Sequence, residues 1–172
     1  MSRITPPLNF SKWIDEHRHL LKPPVGNQVV YKDTEFTVMV VGGPNTRKDY
    51  HVDEGEEFFY QLEGDMTLRI MEDGAPRDIP IRAGEIFLLP PKVPHSPQRK
   101  PETVGLVIER QRREGELDLF QWYCDDCHAK IYEEAVQLTD IVAQLPPIFE
   151  RFWDNEANRK CDGCNAVMEP LN

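Results

Sequence analysis

The chain has 172 residues, a formal net charge of −10, 40% apolar residues and 29% charged ones. This is enough chain for one well-buried domain of ordinary globular composition, and the acidic balance argues against nucleic-acid or anionic-membrane surfaces, which need a basic patch. No apolar run approaches the ~20 residues that span a bilayer. The start, Met1-Ser2-Arg3-Ile4-Thr5-Pro6-Pro7, lacks the apolar segment of a secretory signal. The expected compartment is therefore the cytoplasm, where disulfides rarely persist. The four cysteines need another explanation.

In chain order, residues 9–21 predict a short amphipathic helix, with Trp13, Ile14, Leu20 and Leu21 on one stripe. "KPPVGNQ" (22–28) is a Pro/Gly loop. The hydrophobic period then changes to two. Strands are expected at 28–32, 36–42, 57–62, 66–71, 77–81, 85–89 and 104–109, separated by Gly, Asp, Asn and Pro turn signals. Many short strands at close spacing predict a mostly β sandwich or barrel. From about 134 to 153 a helical period returns, with Leu138, Ile141, Val142, Leu145, Phe149 and Phe152 on the apolar face and a break at Pro146-Pro147. The expectation is a single domain over residues 1–172, with a barrel core at about 28–112 and a cysteine-bearing helical tail at about 120–172.

Two groups of residues carry chemistry. In an extended chain, Arg47, Asp49, His51 and Asp53 fall on one side of a strand, and Glu57, Phe59 and Gln61 share a face of the next. Polar groups on an inward face are costly to bury without partners, and a metal ion is one such partner. His95, delivered by the proline turn Pro90-Pro91-Lys92-Val93-Pro94, supplies a third ligand. Two imidazoles and a carboxylate form the facial triad of a non-haem Fe(II) site with open positions. The second group is Cys124-x-x-Cys127 and Cys161-x-x-Cys164, with 33 residues between the knuckles. In a cytoplasmic chain this spacing points to a tetrahedral Cys₄ site for zinc or a rubredoxin-like iron. Two disulfides are the plain alternative.

The two His/Glu blocks resemble the paired motifs of the cupin barrels. The first reads His51-x-Asp53, three residues, Glu57, six residues, Gly64; the second reads Gly84, five residues, Pro90-x-Lys92-x-x-His95, three residues, Arg99. Asp53 stands where many cupins have a second histidine, which implies three protein ligands. Lys92 replaces a turn glycine, and Arg99 replaces an asparagine, placing a cation near the metal.

Longer segments are similar to the 3-hydroxyanthranilate 3,4-dioxygenase family: "LKPPVGN" (21–27), "VVGGPNTRKDYH" (40–51), "LLPPKVPHSPQR" (88–99) and "LVIERQR" (106–112), with "WIDEHRHLLKPP" and "WYCDDC". The resemblance spans nearly the whole chain. It implies a cupin (jelly-roll) barrel in which Fe(II) held by His51, Glu57 and His95 opens an aromatic ring with O₂. The product would be 2-amino-3-carboxymuconate semialdehyde, the precursor of quinolinate and NAD in the kynurenine route of tryptophan breakdown. The expected roles are a bidentate grip on the substrate carboxylate by Arg99, hydrogen bonding of its amine or hydroxyl by Glu109, stabilisation of charge developing on oxygen by Arg47, and a lid contact by Asn27. Glu57 counts as ligand, catalytic and substrate-facing residue. Asp49 is expected to orient either Arg47 or His51. The chain is expected to form a homodimer, with the tail site a structural clip at the dimer interface. A non-catalytic metal-binding sensor, a thiol dioxygenase and a zinc-ribbon adaptor remain as alternatives, because fold alone does not give function.

Overall fold

A computed structural model describes residue 4 and residues 6–23, 26–32, 34–139 and 141–170. Pro24 and Val25 of the Pro/Gly loop lie outside the described residues, as do the side chains of Ile141 and Val142.

Helix α1 spans Phe10–His17, and the Asn9 side chain caps it by accepting from the Lys12 amide at 3.0 Å. A 3-10 turn follows at Arg18–Leu20. Ile14 and Leu21 bury against Val40 and Val104 of the body. His17 is not merely solvated, as its place on the helix suggests: its ring stacks on Trp13 at 4.0 Å and its Nδ1 meets the Trp13 carbonyl at 2.7 Å.

Eleven strands follow among the described residues. They are β1 (Asn27–Val29), β2 (Phe36–Gly42), β3 (Asp49–Val52), β4 (Glu57–Glu63), β5 (Met66–Glu72) and β6 (Ala75–Ile81). Then come β7 (Ile86–Leu89), β8 (His95–Arg99), β9 (Val104–Arg110), β10 (Asp118–Tyr123) and β11 (Lys130–Val136). One sheet has the order β1-β2-β9-β4-β7 and the other β11-β10-β3-β8-β5-β6, and the strand pairs in both are antiparallel. Met39, Phe59, Leu89 and Val107 of the first sheet meet Met66, Leu68, Ile70 and Ile81 of the second to form the main core. The molecule is a mostly β, two-sheet barrel with an N-terminal helix and a cysteine-bearing C-terminal segment, in line with the motif reading.

The tail is less helical than the sequence suggests. β10 and β11 form a hairpin that extends the six-stranded sheet to Val136, so pairing continues past residue 112. Helix α2 starts only at Ile141 and runs to Trp153. In β10, Phe120 and Trp122 point the same way, and the apolar side of α2 covers them: Trp122 stacks on Phe152 at 4.3 Å, and Ile148 and Phe152 are fully buried. This packing carries α2 straight through Pro146 and Pro147, where a break was expected. A proline inside a helix costs about 3 kcal/mol; burial of Phe152, Ile148 and Trp122, each worth about 1.5–3 kcal/mol, offsets it. Helix α3 is one short turn at Glu156–Arg159. Lys92, at the position where a turn glycine was expected, keeps that turn's left-handed backbone with φ +64°.

Candidate active site

Strand register builds the site. His51 of β3 lies opposite His95 of β8, and Glu57 of β4 lies opposite Glu109 of β9. Paired residues share a sheet face, so the two sheets present these four side chains to one interior volume. Glu57 Oε1 lies 3.0 Å from His95 Nε2 and 3.4 Å from His51 Nδ1. His95 Nδ1–H donates to the Val93 carbonyl at 3.0 Å, and His51 Nε2–H donates to Asp118 Oδ1 at 2.6 Å. Each outward bond fixes a tautomer and leaves the other ring nitrogen with its lone pair facing Glu57. Glu57 Oε1 is buried and has no hydrogen-bond donor. Three acceptor atoms thus converge where a cation is required, and the ligand atoms of His51, Glu57 and His95 all lie within 4.8 Å of one another. The donor set and its geometry fit a 2-His-1-carboxylate metal.

The carboxylates around this point favour positive charge there, which a bound cation or a protonated imidazole supplies. Burial opposes charge on His51, but its bonds to Asp118 and Glu57 outweigh burial and push its pKa up to about 10. Burial likewise opposes charge on Glu57, yet the facing imidazoles hold it well below the usual carboxylate range. For Glu109 the balance reverses: burial and the negative Glu57 raise its pKa against the pull of Arg112.

Two inward positions along the same strands lies a second polar layer. Gln61 and Gly105 are paired, and Arg99 Nη1 donates to Gln61 Oε1 at 2.9 Å. Asn27, Val41, Gly105 and Gln61 form one continuous row across β1, β2, β9 and β4, which aligns Asn27 with the Arg99 layer rather than with the histidines. Phe59 and Val107 lie between the two layers, and the Phe59 ring meets His95 edge-on at 6.3 Å. Arg99 is only 3% exposed, no carboxylate pairs with it among the described residues, and its Nε lacks a partner. Burial alone pulls its pKa down to about 10, so it stays cationic near neutrality. Gly105 leaves room for the guanidinium: a Cβ there would sit 2.7 Å from Arg99 Nη1 and 2.8 Å from Gln61 Oε1. Gly105→Ala is therefore expected to displace Arg99. Steady-state kinetics on a carboxylate-bearing substrate should show kcat/KM reduced on the order of 10–100-fold, while the thermal midpoint moves only a few degrees.

Arg47 lies outside this layer. It forms a two-pronged ion pair with Asp49 and sits 6.0 Å from the Phe149 ring centre. Asp49 thus orients Arg47, and the bond to His51 belongs instead to Asp118, which sequence reasoning missed. Arg112 was missed as well: it holds Asp118, Glu109 and Asp53 together. Glu109 pairs with Arg112 and not with its neighbour Arg110, which reaches Glu116. Gln61 lay on the predicted Glu57 face without an assigned partner. Asp118 did leave a trace, being an acid in phase with Phe120 and Trp122 at the start of β10.

The four cysteines come together at the far side of β10. The first knuckle is the β10–β11 connection; the second follows α3. Their Sγ atoms lie within 4.8 Å of one another, with Cys124–Cys164 and Cys127–Cys161 both at 3.5 Å. All four are free thiols. A tetrahedron with metal–sulfur bonds of ~2.3 Å has edges of about 3.8 Å, and a disulfide needs ~2.05 Å, so the set fits a Cys₄ metal. The knuckles repeat each other's backbone. Cys124 N–H donates to Ala129 O and His128 N–H to Cys124 O, as Cys161 N–H does to Ala166 O and Asn165 N–H to Cys161 O. His128 and Asn165 both take left-handed φ values, 62° and 63°. His128 therefore serves as a turn residue beside four complete sulfur ligands.

Comparison with known proteins places this geometry in context. The family model for 3-hydroxyanthranilic acid dioxygenase matches residues 1–153. A 3-hydroxyanthranilate 3,4-dioxygenase of Xanthomonas euvesicatoria pv. vesicatoria (strain 85-10) is 57% identical over 164 residues, covering 95% of this chain and 93% of that protein. One from Jannaschia sp. (strain CCS1) is 54% identical over 168 residues, covering 97% and 93%. Among solved structures, a cupin-2 domain protein from Shewanella frigidimarina matches 61% of this chain and 94% of its own at 19% identity, with a TM-score of 0.47.

Proposed function

The chain belongs to the 3-hydroxyanthranilic acid dioxygenase family, and from that premise we propose that it opens the ring of 3-hydroxyanthranilate with O₂ to give 2-amino-3-carboxymuconate semialdehyde. The observation that carries this reading is the buried, donor-less Glu57 Oε1 between two imidazole lone pairs. His51, Glu57 and His95 would hold Fe(II). When bound, the ferrous ion supplies open coordination positions for an aminophenol chelate and for the reaction of ground-state O₂ with the ring.

The remaining steps fall to the protein. Phe59 and Val107 are the apolar residues between the histidine layer and Arg99, and the substrate ring would lie against them. A ligand matched to this order of layers has a chelating end, a flat ring and an anionic end. The bidentate guanidinium of Arg99 takes the carboxylate, steadied by Gln61. Glu109 accepts a hydrogen bond from the amine or hydroxyl, and the half-buried Arg47, held by Asp49, stabilises negative charge developing on oxygen. Asn27 closes over the carboxylate end. Both oxygen atoms enter the product, so the reaction draws on no external electron. The Cys₄ site, as zinc or iron, therefore acts as a clip for the tail.

The test is direct. Fe(II)-loaded protein in air with 3-hydroxyanthranilate should consume one O₂ per substrate and produce a strongly absorbing semialdehyde. A flat trace from metal-loaded protein would favour a sensor. The clip role predicts that the Cys161→Ser/Cys164→Ser protein, reloaded with Fe(II), loses one metal equivalent but keeps its turnover number. Removing such a cross-link should cost at least the ~2–5 kcal/mol of a lost disulfide, lowering Tm by roughly 4–20 °C for a chain of this size. Metal analysis, calorimetry and oxygen uptake together check this; a folded, triad-loaded variant without turnover contradicts it.

A further inference from the structure

Arg112 has no role in the reading so far, yet it is the most heavily engaged cation in the barrel. It lies just past β9 with its side chain 9% exposed. Its Nε and Nη2 grip Asp118, with Nη2 2.5 Å from Oδ1; Nη1 lies 2.8 Å from Glu109 Oε1, and Nη2 lies 3.2 Å from Asp53 Oδ2. Two of these carboxylates have working neighbours. Asp118 Oδ1 receives the Nε2–H of His51. Glu109 stands beside Glu57, and the carboxylate oxygens of Asp53, Glu57 and Glu109 lie within 4.8 Å of one another. Arg110, two residues earlier, makes an equally two-pronged pair with Glu116 but takes no part in this network.

We propose that Arg112 is a positioning residue that sets the metal ligand His51, through Asp118, and the substrate-facing Glu109 in one fixed geometry. This rests on the dioxygenase reading above. A guanidinium is planar, and its five N–H donors point in fixed directions. Clamped on both oxygens of Asp118, it fixes the plane of that carboxylate and hence the ring of His51. The same plane leaves one edge for Glu109, so the metal ligand and the substrate contact cannot turn independently. A point charge such as lysine neutralises the acids but does not fix their orientation. Removing the outer partner of a metal-bound histidine typically costs 10–100-fold in metal affinity.

The test measures two equilibria without turnover: metal binding by anaerobic Fe(II) titration, and 3-hydroxyanthranilate binding to the Zn(II)-loaded protein by calorimetry. Arg112→Ala should weaken both, the first by about 10–100-fold. Asp118→Asn should weaken mainly the first, Glu109→Gln only the second, and Arg110→Ala neither. Added guanidinium ion should restore much of both affinities to Arg112→Ala, a recovery that a merely structural loss would not show. If Arg112→Ala does not fold, Arg112→Lys serves, with metal affinity down at least severalfold. Folded variants with both affinities unchanged, or no recovery in guanidinium, overturn the proposal. A wild-type protein that fails to bind Fe(II) at the triad sinks the dioxygenase reading itself, whereas normal wild-type binding with an indifferent Arg112 sinks only this inference.

Discussion

Glu57→Ala is expected to abolish metal binding at the triad and ring-opening turnover together. Glu57 supplies the sole anionic ligand of the set, and its Oε1 is the atom on which both imidazoles converge. Its removal leaves two neutral nitrogens, and the loss of affinity should exceed the 10–100-fold cost of losing an outer partner. Glu57→Gln keeps the volume and tests the charge: it should bind the metal weakly and turn over slowly. The protein should still fold, because the layer above is apolar and intact in Met39, Phe59 and Val107. Fe(II) titration, oxygen uptake and a thermal melt on one preparation separate these effects. Stoichiometric iron with full turnover in Glu57→Ala would contradict the assignment.

Arg99→Met is expected to lower kcat/KM for 3-hydroxyanthranilate while raising stability. A buried guanidinium without a counter-ion is costly, and burial already pulls Arg99 down to about 10. The substrate carboxylate is the missing partner in this account. Truncating one side of a buried charge pair typically costs about 2–5 kcal/mol, or roughly 30- to several-thousand-fold in rate. The same substitution removes an unpaired charge from the free protein, so each kcal/mol of relief should raise Tm by about 2–4 °C. 2-Aminophenol, which lacks the carboxylate, gives the control: its binding to the metal-loaded protein, and any turnover, should be nearly indifferent to Arg99→Met. If both compounds lose activity equally, Arg99 acts on something other than the carboxylate.

Much of this was readable from residue order alone. His51, Glu57 and His95 could be found because two short spacings match as blocks and because period-two alternation puts them on inward faces. The cysteine knuckles could be found because their spacing is local. What stayed hidden depends on tertiary pairing. Asp118 meets His51 across 67 residues, through a β10 strand that strand signals had not marked. β11 was absorbed into a helical period that begins in earnest only at Ile141, since adjacent Glu133 and Glu134 blur its alternation. Gln61 had been placed on the right face, but its partner Arg99 arrives from another sheet. Asp49, beside both Arg47 and His51, could have served either; the two-pronged geometry of arginine decides in favour of Arg47.

The central claim is that two imidazoles and a carboxylate inside the barrel hold a reactive iron, while four thiolates hold a separate, structural metal. Diffraction from crystals grown anaerobically with Fe(II), collected at the iron edge, tests it in a single map. The account predicts an anomalous peak within bonding reach of His51, Glu57 and His95, with metal density at the Cys124/Cys127/Cys161/Cys164 cluster as a second, internal reference. Density at the cysteines with nothing between the histidines and Glu57 would contradict it.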